Sequence, residues 1–154
     1  MTDLPDVSEL ARTVQWLRDR ALIAALPQQY AHGLDTRDFD RARAVFRDDC
    51  RVKGSLVEDV IDRYWEQLVH GVMAYDATMH FMGNQYVEVE PGAGTGFVET
   101  YAVAYHMEAP GSGRDDLVMG VRYLDHVARD GDSWTIVERS AIPVWIRGPF
   151  PRPG

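Results

Sequence analysis

The chain has little of what most specialised functions require. Lys53 is its only lysine among 16 basic residues, against 24 acidic ones, for a net charge of -8 over 154 residues. A nucleic-acid partner needs a basic face to neutralise phosphates, so the balance argues against one. Cys50 is the single cysteine, which excludes an intramolecular disulfide, and Asp48 and Asp49 beside it oppose a reactive thiolate. No run approaches about 18 apolar residues, and the first residues lack a basic segment followed by an apolar one, so neither a membrane partner nor export is expected. The expected location is cytoplasmic.

Three kinds of motif are also missing. The glycines cluster in hairpin loops rather than at a strand-to-helix turn, so no nucleotide cofactor is expected. His32, His70, His106 and His126 have no HxH, HxxxH or HExxH spacing toward a carboxylate, so no metal is expected. No serine sits in a nucleophile elbow.

What is present suits a folded domain, expected over 1–148 with an irregular proline-rich tail at 149–154. Apolar residues make up 45% of the chain and charged ones 26%. From Val7 to about Leu34, Leu10, Val14, Leu17, Ala21, Ala24 and Ala25 recur at helical steps, with Pro27 predicting a break into two pieces. Asp38 is placed to cap a short helix running through Phe46, followed by a brief strand at Cys50–Lys53. Leu56, Val60, Ile61, Tyr64, Leu68 and Val72 predict a last helix ending near Gly71.

After Tyr75 the period becomes two. Segments 78–90, 95–108, 116–129 and 134–146 are separated by turn-forming Pro/Gly/Asp clusters, predicting four antiparallel strands joined by hairpins. Helices followed by a meander make an α+β fold, with a curved sheet wrapped over helices on one face.

Two segments carry candidate chemistry. Tyr30-Ala-His-Gly-Leu-Asp35 ends a helix with a phenol, an imidazole and a carboxylate, although Asp35 before Thr36 also suits a plain turn. Strand alternation puts His80, Met82, Asn84 and Tyr86 on one face, which lines a small-ligand pocket if it is the concave one. A lone strand histidine is more often structural.

Tyr30-x4-Asp35, Asp38-Phe-Asp40, Phe46-Arg-Asp-Asp49, His80-x3-Asn84, Gly120-Val-Arg-Tyr-Leu-Asp125, Arg129-Asp-Gly-Asp-Ser-Trp134 and Ile136-x2-Arg139, in that order, resemble a SnoaL-like domain of the nuclear transport factor 2, ketosteroid isomerase and scytalone dehydratase-like superfamily. The resemblance implies a cone-shaped α+β barrel. It also implies a cofactor-independent lyase that removes a proton and a leaving group from a hydrophobic ring compound, with His80 as base and Asp35 as its partner. Tyr30 resembles the phenol that some such dehydratases use on the departing oxygen. Asn84, with Met82 and Tyr86, is the expected substrate contact.

The chain departs from several of these enzymes at Ile142 and Pro143, where they carry an anion-stabilising arginine. Arg139 is read as a structural or salt-bridge residue. An isomerase or cyclase of steroid or polyketide type would use the same base, and a non-catalytic ligand-binding module remains a reading of a different class. Members of the superfamily often associate through the outer sheet face, which implies a homodimer or homotrimer.

Overall fold

The computed structural model describes residues 6–55 and 57–149. Most of the expected tail, from 150 on, lies outside the described residues. Helix α1 (Val7–Asp35) and the one-turn α2 (Phe39–Arg43) lead into strands β1 (Phe46–Lys53) and β2 (Glu58–Val60). Helix α3 (Ile61–Met73) and four long strands follow: β3 (Ala77–Glu88), β4 (Thr95–Met107), β5 (Leu117–Asp130) and β6 (Ser133–Arg147). They form one sheet in the order β2-β1-β6-β5-β4-β3. All neighbours are antiparallel except β1 and β6, which are parallel. The sheet is curved and unclosed, with helices on its concave side.

Four expectations are corrected. Pro27 does not divide α1, which runs unbroken through it. Proline in a helix interior costs about 3 kcal/mol. Ile23, Leu26, Tyr30 and Leu34 on either side are all buried, and burying each large apolar side chain stabilises by about 1.5–3 kcal/mol. Packing therefore outweighs the break.

The core face of α1 also differs from the one the apolar spacing suggests. Leu10, Val14 and Leu17 are more than half exposed; residues 7–14 are exposed all round the helix, and Asp19 is the first buried residue of α1. Phe46–Asp49, expected to close a helix and turn, instead begins β1, and the first turn of the expected last helix is β2, paired with β1.

Polar contacts hold α1 against the sheet. Trp16 Nε1 donates to the Val89 carbonyl at 2.8 Å, Arg20 to Val87 at 2.8 Å, and Gln85 Nε2 to Ala24 at 2.9 Å. Asp19 is buried and accepts two bonds from Arg129, at 3.0 and 2.7 Å, and one from Trp134 Nε1 at 3.1 Å. The Arg129 bond, followed by those from Trp134 and Gln15, outweighs burial and lowers the Asp19 pKa, so the carboxylate stays charged.

Candidate active site

The end of α1 positions the first group. The Thr36 N–H returns to the His32 carbonyl at 3.0 Å, and the Arg37 N–H to the Leu34 carbonyl at 3.2 Å. Arg37 adopts a left-handed φ of 62°, which turns the chain away immediately after Asp35. Gly33 permits this geometry, since a Cβ there would meet Ala42 Cβ and N at 2.7 Å and the Asp38 carbonyl at 2.8 Å.

The Asp35 carboxylate reaches the start of β3 and engages His80 twice. Oδ2 accepts from the His80 backbone N–H at 2.7 Å, and Oδ1 lies 2.7 Å from Nδ1. A carboxylate can only accept, so the ring proton sits on Nδ1 and Nε2 is left with its lone pair. Burial pushes the Asp35 pKa up, but the two His80 bonds, the His80 charge and Thr78 together bring it below the ordinary value. The pair is sheltered, with side-chain exposures of 4% for His80 and 22% for Asp35.

Tyr30 joins them. Its ring stands edge-on to His80 with centroids 6.4 Å apart and packs similarly on Phe46 and Tyr123. Burial raises its pKa well above 10.0, so the phenol keeps its proton. On the other side, buried Arg139 lies 4.3 Å from the Tyr30 ring centre and binds Asp125 through two 2.7 Å bonds. Burial opposes the Arg139 charge, and Asp125 more than compensates, leaving the pKa raised. Arg139 thus forms an ion pair, while Ile142 is 42% exposed. Cys50 is buried and its thiol is pushed up to about 12, which makes it a poor nucleophile.

The rest of the expected β3 face is broken. Between Met82 and Gln85 the pairing with β4 shifts, so that Gly83 and Asn84 together oppose Tyr101. The bulge reverses the alternation. Met82 stays half-buried and packs against the core, but Asn84 is exposed and Tyr86 is 59% exposed, its hydroxyl donating to Glu88. Gln85 takes the inward place, bonded to Ala24 and Thr100. Asn84 and Tyr86 therefore do not share the inward face of His80 and Met82.

A cavity of about 630 Å³ opens between α3 and the end of the sheet, lined among others by Tyr64, Leu68, Tyr75, His106, Leu117 and Met119. Asp35, His80 and Tyr30 do not line it; His106 does, and its ring is edge-on to His80 at 5.8 Å and tilted against Tyr75 at 5.1 Å. His106 Nδ1 is buried without a partner. Burial first, and then the nearby His80 charge, push its pKa down to about 4, so it is neutral at pH 7. Sequence spacing gave no signal for His106, which reaches His80 only through the pairing of β3 with β4. The register itself, with Thr78 opposite His106 and His80 opposite Ala104, follows from the β3–β4 hairpin. Among the described residues no three His, Cys, Asp or Glu side chains converge as metal ligands.

Residues 15–140 match the family model of the SnoaL-like domain. The chain belongs to that family. Solved structures similar to this SnoaL-like chain share its architecture over most of their length. A candidate scytalone dehydratase from Novosphingobium aromaticivorans DSM 12444 superposes with a TM-score of 0.78 at 18% identity, covering 91% of this chain and 93% of that one. A hexachlorocyclohexane dehydrochlorinase, LinA type 3, from Novosphingobium barchaimii LL02 gives 0.75 at 16%, covering 92% and 99%. A nuclear transport factor 2-like protein with a cystatin-like fold, also from N. aromaticivorans, gives 0.76 at 20%, covering 92% of each chain. No curated protein matches the sequence.

Proposed function

We propose that this SnoaL-like chain is a cofactor-independent lyase of dehydratase type acting on a hydrophobic ring compound. The observation that carries the reading is the 2.7 Å contact between Asp35 Oδ1 and His80 Nδ1, next to a mostly apolar cavity. Asp35 holds the imidazole in the tautomer whose Nε2 is basic and stabilises the imidazolium once it forms.

In the reaction, Nε2 takes a proton from a carbon activated by a neighbouring carbonyl or unsaturated group. The C–H electron pair becomes the new double bond, and the adjacent C–O bond breaks with its pair on oxygen. Tyr30, kept neutral by burial, gives that oxygen its proton, and water departs. The proton on His80 then restores the phenol. Positioned base catalysis of this kind contributes about 10² to 10⁴ in rate.

The names of two similar structures, a candidate scytalone dehydratase and a dehydrochlorinase, accord with elimination chemistry on this fold. The outer face of the sheet leaves Met79, Phe81, Tyr101, Ile142 and Trp145 exposed, which supports assembly into a homodimer or homotrimer.

The test is a product screen by mass spectrometry with hydroxylated steroid and polyketide rings and chlorinated rings, comparing the wild type with His80→Ala and Asp35→Asn. Loss of one water by the wild type and by neither variant is the expected result. An isobaric product dependent on His80 would make the enzyme an isomerase or cyclase. Turnover surviving both substitutions would remove the proposed pair from the mechanism.

A further inference from the structure

Gly71 stands inside α3, two residues before its end, where glycine is the poorest helix former apart from proline. A helical glycine is usually explained by close approach, as at Gly33. Gly71 has no such reason, because a Cβ built there would meet no heavy atom within 4 Å. Gly71 is exposed and borders the cavity together with Leu68 and Val72.

The size of that cavity matters. A cavity of about 150 Å³ holds one benzene, and sites of about 300–1,000 Å³ take ligands of several rings. At about 630 Å³, walled by Tyr64, Tyr75, Leu117 and Met119, this one suits an uncharged compound of several fused rings.

We propose that Gly71 is a specificity-determining residue: its bare backbone sets the upper size of ring compound that passes between α3 and the cavity floor at His106. The proposal rests on the reading of this cavity as the substrate site. A side chain at 71 would narrow the passage without disturbing Asp35, His80 or Tyr30, none of which lies on α3.

The test reads binding rather than turnover, with two uncharged fluorescent alcohols, four-ring 1-pyrenemethanol and two-ring 2-naphthol, titrated into the full chain. Gly71→Trp and Gly71→Leu are expected to weaken 1-pyrenemethanol by about tenfold or more while 2-naphthol stays within about threefold. Gly71→Ala is expected to bind both probes like the wild type and to raise Tm by about 2–4 °C, because it adds helix propensity and touches nothing. If folded Trp and Leu variants bind 1-pyrenemethanol like the wild type, the size limit is set elsewhere. If Gly71→Ala lowers Tm, the backbone requires this glycine and the proposal is overturned. Failure of the wild type to bind either probe would overturn the cavity reading itself, an outcome distinct from binding that ignores position 71.

Discussion

The imidazoles of His80 and His106 lie edge to face with centroids 5.8 Å apart, the first bonded to Asp35 and the second with an unpartnered, buried Nδ1. Two histidines in contact therefore have opposite surroundings. Asp35 anchors the His80 ring, while burial first, and then the neighbouring His80, disfavour the charged form of His106.

Acid stability follows from this asymmetry. The folded pKa of His106, about 4, lies below its ordinary 6.5, so protons bind preferentially to the unfolded chain between those values. Its contribution is complete above pH 6.5 and is lost as pH falls toward 4, amounting to at most about 3 kcal/mol. Asp35, with a lowered pKa, acts in the same direction at lower pH, its contribution present above 3.8 and lost as pH falls through the folded value. Urea denaturation at pH 7, 5 and 4 should show the midpoint falling, and His106→Phe should flatten the decline between 6.5 and 4. An unchanged slope in that variant would remove His106 as the cause.

Arg139 and Asp125 are both buried and bonded twice to each other. Removing one partner strands the other charge in the core, so Arg139→Met is expected to cost about 3–5 kcal/mol. The double variant Arg139→Met, Asp125→Leu should recover much of that loss. A double-mutant cycle by chemical denaturation measures the coupling, and additive losses would contradict it.

Gly33→Ala forces a methyl group into Ala42 and the Asp38 carbonyl, all closer than 3.0 Å. Overpacking of this kind costs about 1–3 kcal/mol. Because the shift displaces the turn that carries Asp35, activity should fall by more than the lost folded fraction explains. Comparing Tm with kcat for the remaining folded protein separates the two effects.

Assembly through the outer face is checked by light scattering. The wild type should run as a dimer or trimer, and Phe81→Lys, at a side chain 64% exposed on that face, should shift it toward monomer with unchanged circular dichroism. A monomeric wild type would end this expectation.

The legible parts of the fold were those with a strong local signal. The four long strands, 77–88, 95–107, 117–130 and 133–147, lie within a few residues of their predicted bounds, since alternation and Gly/Pro/Asp turns are written locally. The Asp38 cap accepts from the Arg41 N–H at 3.2 Å as its position implied. The misread parts depended on partners distant in sequence. Phe46 and Arg51–Lys53 are held as strand by parallel pairing with β6, and Pro27 stays helical because core burial on both sides exceeds its cost.

At the site, the sequence by itself determined which chemical groups were available, Tyr30 and Asp35 a turn and a half apart on one helix and His80 opening a strand. It also determined the long hairpins that carry His80 and His106 on adjacent strands. Only the tertiary structure decided that Asp35 and His80 meet, and that His106 is left neutral beside them with its Nδ1 unpartnered. It also decided, through a two-residue bulge, that Gln85 faces inward in place of Tyr86. A period of two predicts a face only while the pairing register is unbroken, and a single inserted residue, invisible to local propensity, exchanges the faces for every residue beyond it.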